Sequence, residues 1–162
     1  MLHLRERQFF VRGRRVTHYY LDLPEVVVML AHDPEGRVLL VRQYRGALDR
    51  ETLELPAGRC EPRETPEDAA RRELEEETGY RAERLEPLLR FWPTPGYSSE
   101  VIHAYEARGL RPTATSFDEG EELTLVRLTP SECEAAVRSG EICDGKTILT
   151  LLAAQKGWRR EG

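Results

Sequence analysis

GRCEPRETPEDAARRELEEETGY, Gly58 to Tyr80, is the stretch whose reading decides the fold. Thr65 supplies a hydroxyl to cap a helix, Pro66 suits the first helical position, and Asp68 can reach back to the cap. Gly79 is placed to end the helix in a left-handed conformation. The spacing therefore predicts a helix from about Pro66 to Thr78. At about 100° per residue, Glu73, Glu76 and Glu77 share one face, floored by Ala69 and Ala70. Like charges three and four residues apart repel by about 0.2–0.5 kcal/mol per pair on an exposed helix. A solvated acidic face is the usual explanation of such a helix. A hard divalent cation, which takes oxygen ligands and bridges carboxylates to phosphates, is the economical chemical one.

On either side of this helix the chain reads mostly as strands. Upstream, Val26–Leu30 and Arg37–Tyr44 are apolar runs separated by Asp33, Pro34, Glu35 and Gly36, the turn chemistry of a hairpin. Thr52–Leu55 is a short strand ended by Pro56. Gln8–Val11 and Arg15–Leu23, joined by a turn at Arg12 and Gly13, form N-terminal strands. Downstream, Leu85–Trp92, Val101–Ala107 and Leu123–Leu128 supply further strands. Two helices close the chain. Thr129, Pro130 and Glu132 open the first, which stops near Gly140; Asp144 caps the second, which stops at Gly157. Strands interleaved with a few helices imply an α/β fold in which a mixed sheet carries helices on both faces.

The chain has 162 residues, 40% hydrophobic and 33% charged, which fits one globular domain over residues 1–162 with strands 1–23 at its N-terminus. A net charge of -5 speaks against a broad grip on nucleic acid, which requires basic surface. Three widely spaced cysteines, Cys60, Cys133 and Cys143, form neither a disulfide framework nor a zinc motif. With no leader pattern and no run long enough to span a bilayer, the cytoplasm is the expected compartment, without membrane association.

From Gly58 the sequence fits G-x5-E-x7-R-E-U-x-E-E-x-G-U, with U a bulky aliphatic residue. The chain thus resembles the Nudix hydrolases at Gly58, Glu64, Arg72, Glu73, Leu74, Glu76, Glu77 and Gly79. Tyr80 departs, being aromatic where an aliphatic residue is usual, which reads as a packing variation. The resemblance implies a Nudix-type α/β/α sandwich with a mixed sheet and an N-terminal β-hairpin extension. It also implies that Glu73, Glu76 and Glu77 bind Mg²⁺, or Mn²⁺ or another divalent cation. The backbone carbonyl of Ala57 would be a further ligand and Glu64 an outer acidic member, with Arg72 orienting the carboxylates. The implied reaction is attack of water on a pyrophosphate phosphorus, in which a carboxylate accepts the proton of the water. Either Glu77 or a glutamate of the segment Asp118–Glu122 could do this, with Glu121 preferred ahead of Glu119.

Outside that motif, Phe91–Glu100 resembles the signature of ADP-ribose pyrophosphatases, Pro95 being the telling residue. Val41–Arg45, Leu53–Gly58 and Gly140–Thr147 look like the same subfamily. The expected substrate is therefore a small nucleoside diphosphate derivative, ADP-ribose foremost, cleaved to AMP and ribose 5-phosphate. Another substrate of the same family (GDP-mannose or another nucleotide sugar, a flavin or nicotinamide dinucleotide, a dinucleoside polyphosphate) and a non-catalytic ADP-ribose sensor are the alternatives. Arg42 and Arg45 are candidates to clamp the diphosphate, but strand alternation puts them on opposite faces, and Arg45 is preferred. Glu100 is the candidate for the terminal ribose, and the backbone near Gly96 and Ser98 for close approach to the ligand. Phe9, Phe10, Tyr19 and Tyr20 have the chemistry to stack on a base, although core or strand-pairing roles are commoner at these spacings. By the same resemblance, the N-terminal strands are expected to help build a homodimer.

Overall fold

The computed structural model describes residues 3–113 and 123–159. Its strands are β1 (His3–Val11), β2 (Arg14–Asp22), β3 (Val26–Ala31), β4 (Val38–Arg45), β5 (Arg50–Glu54), β6 (Ala57–Arg59), β7 (Tyr80–Phe91), β8 (Ile102–Pro112) and β9 (Thr124–Leu128). The helices are α1 (Pro66–Thr78), α2 (Pro130–Ser139) and α3 (Gly145–Gln155).

The apolar run of β3 sets the layering. A strand buried on both faces shows no polar alternation, because each face meets its own core. Val27, Met29 and Ala31 pack with Ala69, Ala70 and Leu74 of α1 on one side. Val28 and Leu30 pack with Cys133 and Ala136 of α2 and with Ile148 and Leu151 of α3 on the other. The result is an α/β/α sandwich. Its main sheet has the order β6-β3-β8-β7, with β3 parallel to β8 and the other pairs antiparallel. A second, antiparallel sheet has the order β5-β4-β9, and β1 and β2 form a separate hairpin.

The helix ends follow local chemistry. The Thr65 hydroxyl accepts from the amide of Asp68 at 3.2 Å, and Gly79, at φ 70°, donates its amide to the carbonyl of Glu75. Thr129 and Glu132 form a reciprocal capping box on α2, and Asp144 caps α3 through the amide of Thr147. Left-handed Arg12 and Gly13 make the hairpin turn between β1 and β2, whose twist suits two antiparallel strands.

Several expectations are corrected. The Asp33–Gly36 turn forms, with the Asp33 carboxylate accepting from the amides of Glu35 and Arg37. Yet β3 and β4 do not pair as a hairpin beyond the single bridge His32–Val38. Both edges of β3 are already taken by β6 and β8, so β4 leaves for the other sheet. β7 starts directly after the helix rather than at Leu85, because Gly79 reverses the chain at once and Ala82 and Leu85 already point into the α1 core. β1 begins well before Gln8, drawn out by its full register with β2. Of the two roles expected for the aromatics, strand pairing is the one seen: Phe9, Phe10, Tyr19 and Tyr20 lie in the β1–β2 register, with Phe9, Phe10 and Tyr19 exposed rather than in a core; Phe9 meets His18 edge to face, and Arg7 stands over the ring of Tyr20. Among the described residues no helix is long and apolar enough to cross a membrane.

Candidate active site

A cleft of about 950 Å³ runs between α1, the ends of β3 and β4, the segment after β7 and the start of α3. This is the size of a pocket that encloses a small organic ligand. Glu73, Glu76 and Glu77 all line it, as do Ala57, Arg45 and Glu100. Each carboxylate is placed by something specific. Glu77 is buried and accepts from the Ala57 amide at 2.9 Å. That bond fixes the chain between β5 and β6 against the helix and brings the Ala57 backbone to the cleft. Glu73 lies against Gly58 so closely that a Cβ there would sit 1.9 Å from its carboxyl carbon. Only glycine leaves room for that carboxylate.

Arg72 gathers the other acids. Its Nε and Nη2 make a two-pronged pair with Glu64, both at 3.0 Å. Its Nη1 donates to Glu73 at 2.8 Å and Glu76 at 3.0 Å, and Nη2 also reaches the carbonyl of Arg59. Such forked, charge-assisted contacts suit the planar guanidinium and would be poorly served by lysine. The Arg72 bonds hold the Glu64 carboxyl below its usual range, and the bonds to Glu64, then Glu73 and Glu76, raise the pKa of Arg72. Nearby Cys60 is pushed up to about 11 by burial and then by Glu25 and Glu64, so it stays a neutral thiol.

The donor set fits a hard divalent cation. Glu73 and Glu76 already bring one oxygen each within 3.0 Å of a single positive nitrogen, and every side-chain donor on this face of α1 is a carboxylate oxygen. Among the described residues no group of three or more acidic, His or Cys side chains is already gathered to hold a metal ion; Glu73 and Glu76 instead accept from Arg72.

The remaining candidates divide. Arg45 lines the cleft, whereas Arg42 pairs with Glu141 at 2.7 Å on the opposite face of β4; alternation along the strand decides between them. Glu100 lines the cleft, with its amide held by the Ser98 hydroxyl at 3.0 Å. Pro95, Gly96 and Ser98 do not line it. They belong to a turn closed by Tyr97 and Ser98 amides on the Thr94 carbonyl, docked on β2 through Leu21. A Cβ on Gly96 would meet nothing within 4 Å, so no described atom requires glycine there. The residues flanking this turn, Thr94 and Glu100, do line the cleft. Glu119 and Glu121 lie outside the described residues.

Sequence reasoning missed a polar cluster beside Arg45. Glu54, 2% exposed, accepts from Arg45 at 2.8 and 2.6 Å, from Lys146 at 2.5 Å and from Thr52 at 2.6 Å. Burial by itself pushes the Glu54 carboxyl up. The Arg45 bonds, then Lys146 and Thr52, outweigh it and lower the pKa from 4.5 to about 2. Lys146, which also pairs with Asp144 at 3.0 Å, lines the cleft. Trp92 stands at the rim, half exposed, under the guanidinium of Arg90. The stretches Leu53–Gly58 and Gly140–Thr147 had signalled that something mattered there, but not which side chain.

Residues 22–142 match the family model of the NUDIX domain. The chain belongs to the Nudix family. It is a Nudix hydrolase. It is 39% identical over 130 residues to a methanol dehydrogenase activator of Bacillus methanolicus, covering 79% of this chain and 70% of that one. It is 38% identical over 141 residues to an ADP-ribose pyrophosphatase of Bacillus subtilis strain 168, covering 86% of this chain and 76% of the relative. A crystal structure of an ADP compounds hydrolase shares the fold of this Nudix chain at a TM-score of 0.85 and 23% identity, over 97% of this chain and 86% of that one.

Proposed function

We propose that the protein hydrolyses the pyrophosphate bond of ADP-ribose, giving AMP and ribose 5-phosphate, in a reaction that requires Mg²⁺ or a similar divalent cation. The observation that carries this reading is a single cleft lined by both signs of charge: three carboxylates of α1, with Arg45 and Lys146 from β4 and α3. A bridged diphosphate needs both, cations for its oxygens and a carboxylate-held metal at the reacting phosphorus. The pyrophosphatase relative from Bacillus subtilis adds support for the substrate.

In this reading Glu73, Glu76 and Glu77, with the Ala57 carbonyl, hold the cation and Glu64 backs them through Arg72. When bound, the cation supplies charge neutralisation of the diphosphate and acidifies water. Arg45 and Lys146 orient the diphosphate by charge-assisted hydrogen bonds. Glu100 accepts from a hydroxyl of the terminal ribose. The proton of the attacking water passes to Glu121, ahead of Glu119. Glu77 is the weaker assignment, because it is buried and already accepts the Ala57 amide.

We further infer a homodimer built through β1 and β2. A two-stranded hairpin is marginal alone in water, and this one exposes Leu4 and Phe10 at 70% and 72%, which a second copy of the hairpin would cover.

The experiment is incubation with Mg²⁺ and a panel of ADP-ribose, GDP-mannose, FAD, NADH and a dinucleoside polyphosphate, with products separated by chromatography. AMP and ribose 5-phosphate from ADP-ribose, at the highest kcat/KM of the panel, are expected. A higher kcat/KM for another member replaces the substrate, and binding of ADP-ribose without turnover of any member makes the protein a sensor.

A further inference from the structure

Among the described residues, Glu54 is the most buried acid beside the cleft, and Arg45, Lys146 and Thr52 all donate to it. It sits on β5, 2% exposed, between the fully buried side chains of Leu53 and Leu55. Four donors converge on its two oxygens: Arg45 Nε on Oε1 and Nη2 on Oε2, Lys146 Nζ on Oε2, and the Thr52 hydroxyl on Oε1. An ionised carboxylate has room for about four such bonds, so its capacity is filled. Buried ion clusters of this kind are poor sources of net stability, because desolvation offsets the attraction and well-packed apolar side chains do as well. Net stability alone is therefore a weak account of a carboxylate at this position.

The two cations come from far apart in the chain, Arg45 on β4 and Lys146 on α3, and Glu54 joins them from a third element. Each keeps donors for another partner. The bonds to Glu54 occupy Nε and Nη2 of Arg45 and leave Nη1; Lys146 gives two of its three N–H groups, to Glu54 and Asp144. Both cations line the cleft. A free lysine or arginine side chain loses rotamer freedom when it grips an anion, and a contact that already holds it removes that loss from the binding step. The depressed pKa of Glu54 keeps it ionised at neutral pH.

We propose that Glu54 is a positioning residue that locks Arg45 and Lys146 into one two-cation clamp for the diphosphate of the substrate. The inference rests on the diphosphate-hydrolase reading of the cleft. It also makes a prediction opposite in sign to simple Coulomb reasoning. Replacing a negative charge beside an anion site with a neutral one should tighten anion binding if charge alone matters. Loss of the clamp geometry should weaken it.

The test is calorimetric titration of α,β-methylene-ADP, a diphosphate that is not hydrolysed, into the full chain with Mg²⁺, run beside steady-state hydrolysis. Glu54→Gln is expected to weaken the probe at least about tenfold and to raise KM by a similar factor while kcat falls less than about threefold. Thr52→Val, which removes one hydrogen bond to Glu54 and keeps the shape, is expected to weaken the probe by about two- to threefold. Equal or tighter binding by Glu54→Gln overturns the proposal, as does a lowered Tm with unchanged affinity. If Glu54→Gln fails to fold, Thr52→Val decides, and unchanged affinity in it overturns the proposal. A wild-type protein that binds the probe but hydrolyses nothing in the panel refutes the functional reading alone, leaving the affinities of the variants to judge Glu54. Absence of probe binding by the wild type overturns both.

Discussion

Gly58→Ala isolates the placement of one carboxylate. The new Cβ would lie 1.9, 2.0 and 2.3 Å from the carboxyl carbon and two oxygens of Glu73. To reach van der Waals separation that carboxylate must retreat by about 1.5 Å. It can do so, since it is the end of a flexible side chain, but it then leaves the position from which it meets Arg72 Nη1 at 2.8 Å. The backbone itself accepts alanine, because Gly58 is not among the positive-φ glycines. Reduced freedom of the unfolded chain even favours alanine by about 0.4–1 kcal/mol. Stability and activity should therefore separate. A misplacement of about 1 Å at a reacting centre can cost about 100-fold in rate, so kcat/KM on ADP-ribose is expected to fall by about two orders of magnitude while Tm changes by no more than a few degrees. Steady-state kinetics with Mg²⁺, together with thermal unfolding of the same preparation, measure both. Retention of kcat/KM within about threefold of wild type would refute the assignment of Glu73 as a placed ligand; a collapse of Tm would show that the backbone, not the carboxylate, gives way.

The pKa of Glu54, depressed from 4.5 to about 2, stabilises the fold above its unfolded value, and that contribution is lost as pH falls from about 5 toward 2. Acid unfolding followed by circular dichroism should show a shallower dependence in Glu54→Gln over that window; identical slopes would refute the linkage. Mg²⁺ at about 100 times its dissociation constant should raise wild-type stability by about 2.7 kcal/mol. Arg72→Ala, which leaves Glu64, Glu73 and Glu76 without their shared cation, should be less stable than wild type in EDTA and recover most of the gap with Mg²⁺. An equal gap in both conditions would count against a cation site at this face. Thr65→Ala removes the cap of α1 and is expected to cost about 1 kcal/mol in urea denaturation; a loss below the error of the method would show the cap to be dispensable. Light scattering should give twice the chain mass of 18.6 kDa, and deletion of residues 1–23 should give the monomer; a monomeric full chain would remove the homodimer.

The legible part of this protein was local. Caps at Thr65, Thr129 and Asp144, the left-handed stop at Gly79 and the shared face of Glu73, Glu76 and Glu77 depend on residues within a turn or two of each other, and all are legible in the sequence. The mixed architecture followed from the same periodicities. Other features depended on which distant segments meet. The Asp33–Gly36 turn was read correctly, but its strands part because β6 and β8 had claimed both edges of β3, a competition no single segment reveals. Strand alternation separated Arg42 from Arg45, but only the cleft assigned Arg45 to it.

By itself, the sequence determined that a helix would carry three carboxylates on one face and that the chain resembles a Nudix hydrolase, because 3.6-residue periodicity and fixed offsets are properties of a short segment. Only the tertiary structure decided what surrounds those carboxylates. It brought Gly58 under Glu73, Glu54 between Arg45 and a lysine 92 residues away, and Glu100 rather than Pro95 into the cleft. Those placements depend on strand pairing and packing across the whole chain, and a carboxylate buried between leucines has a recognisable function only once its cations are in view.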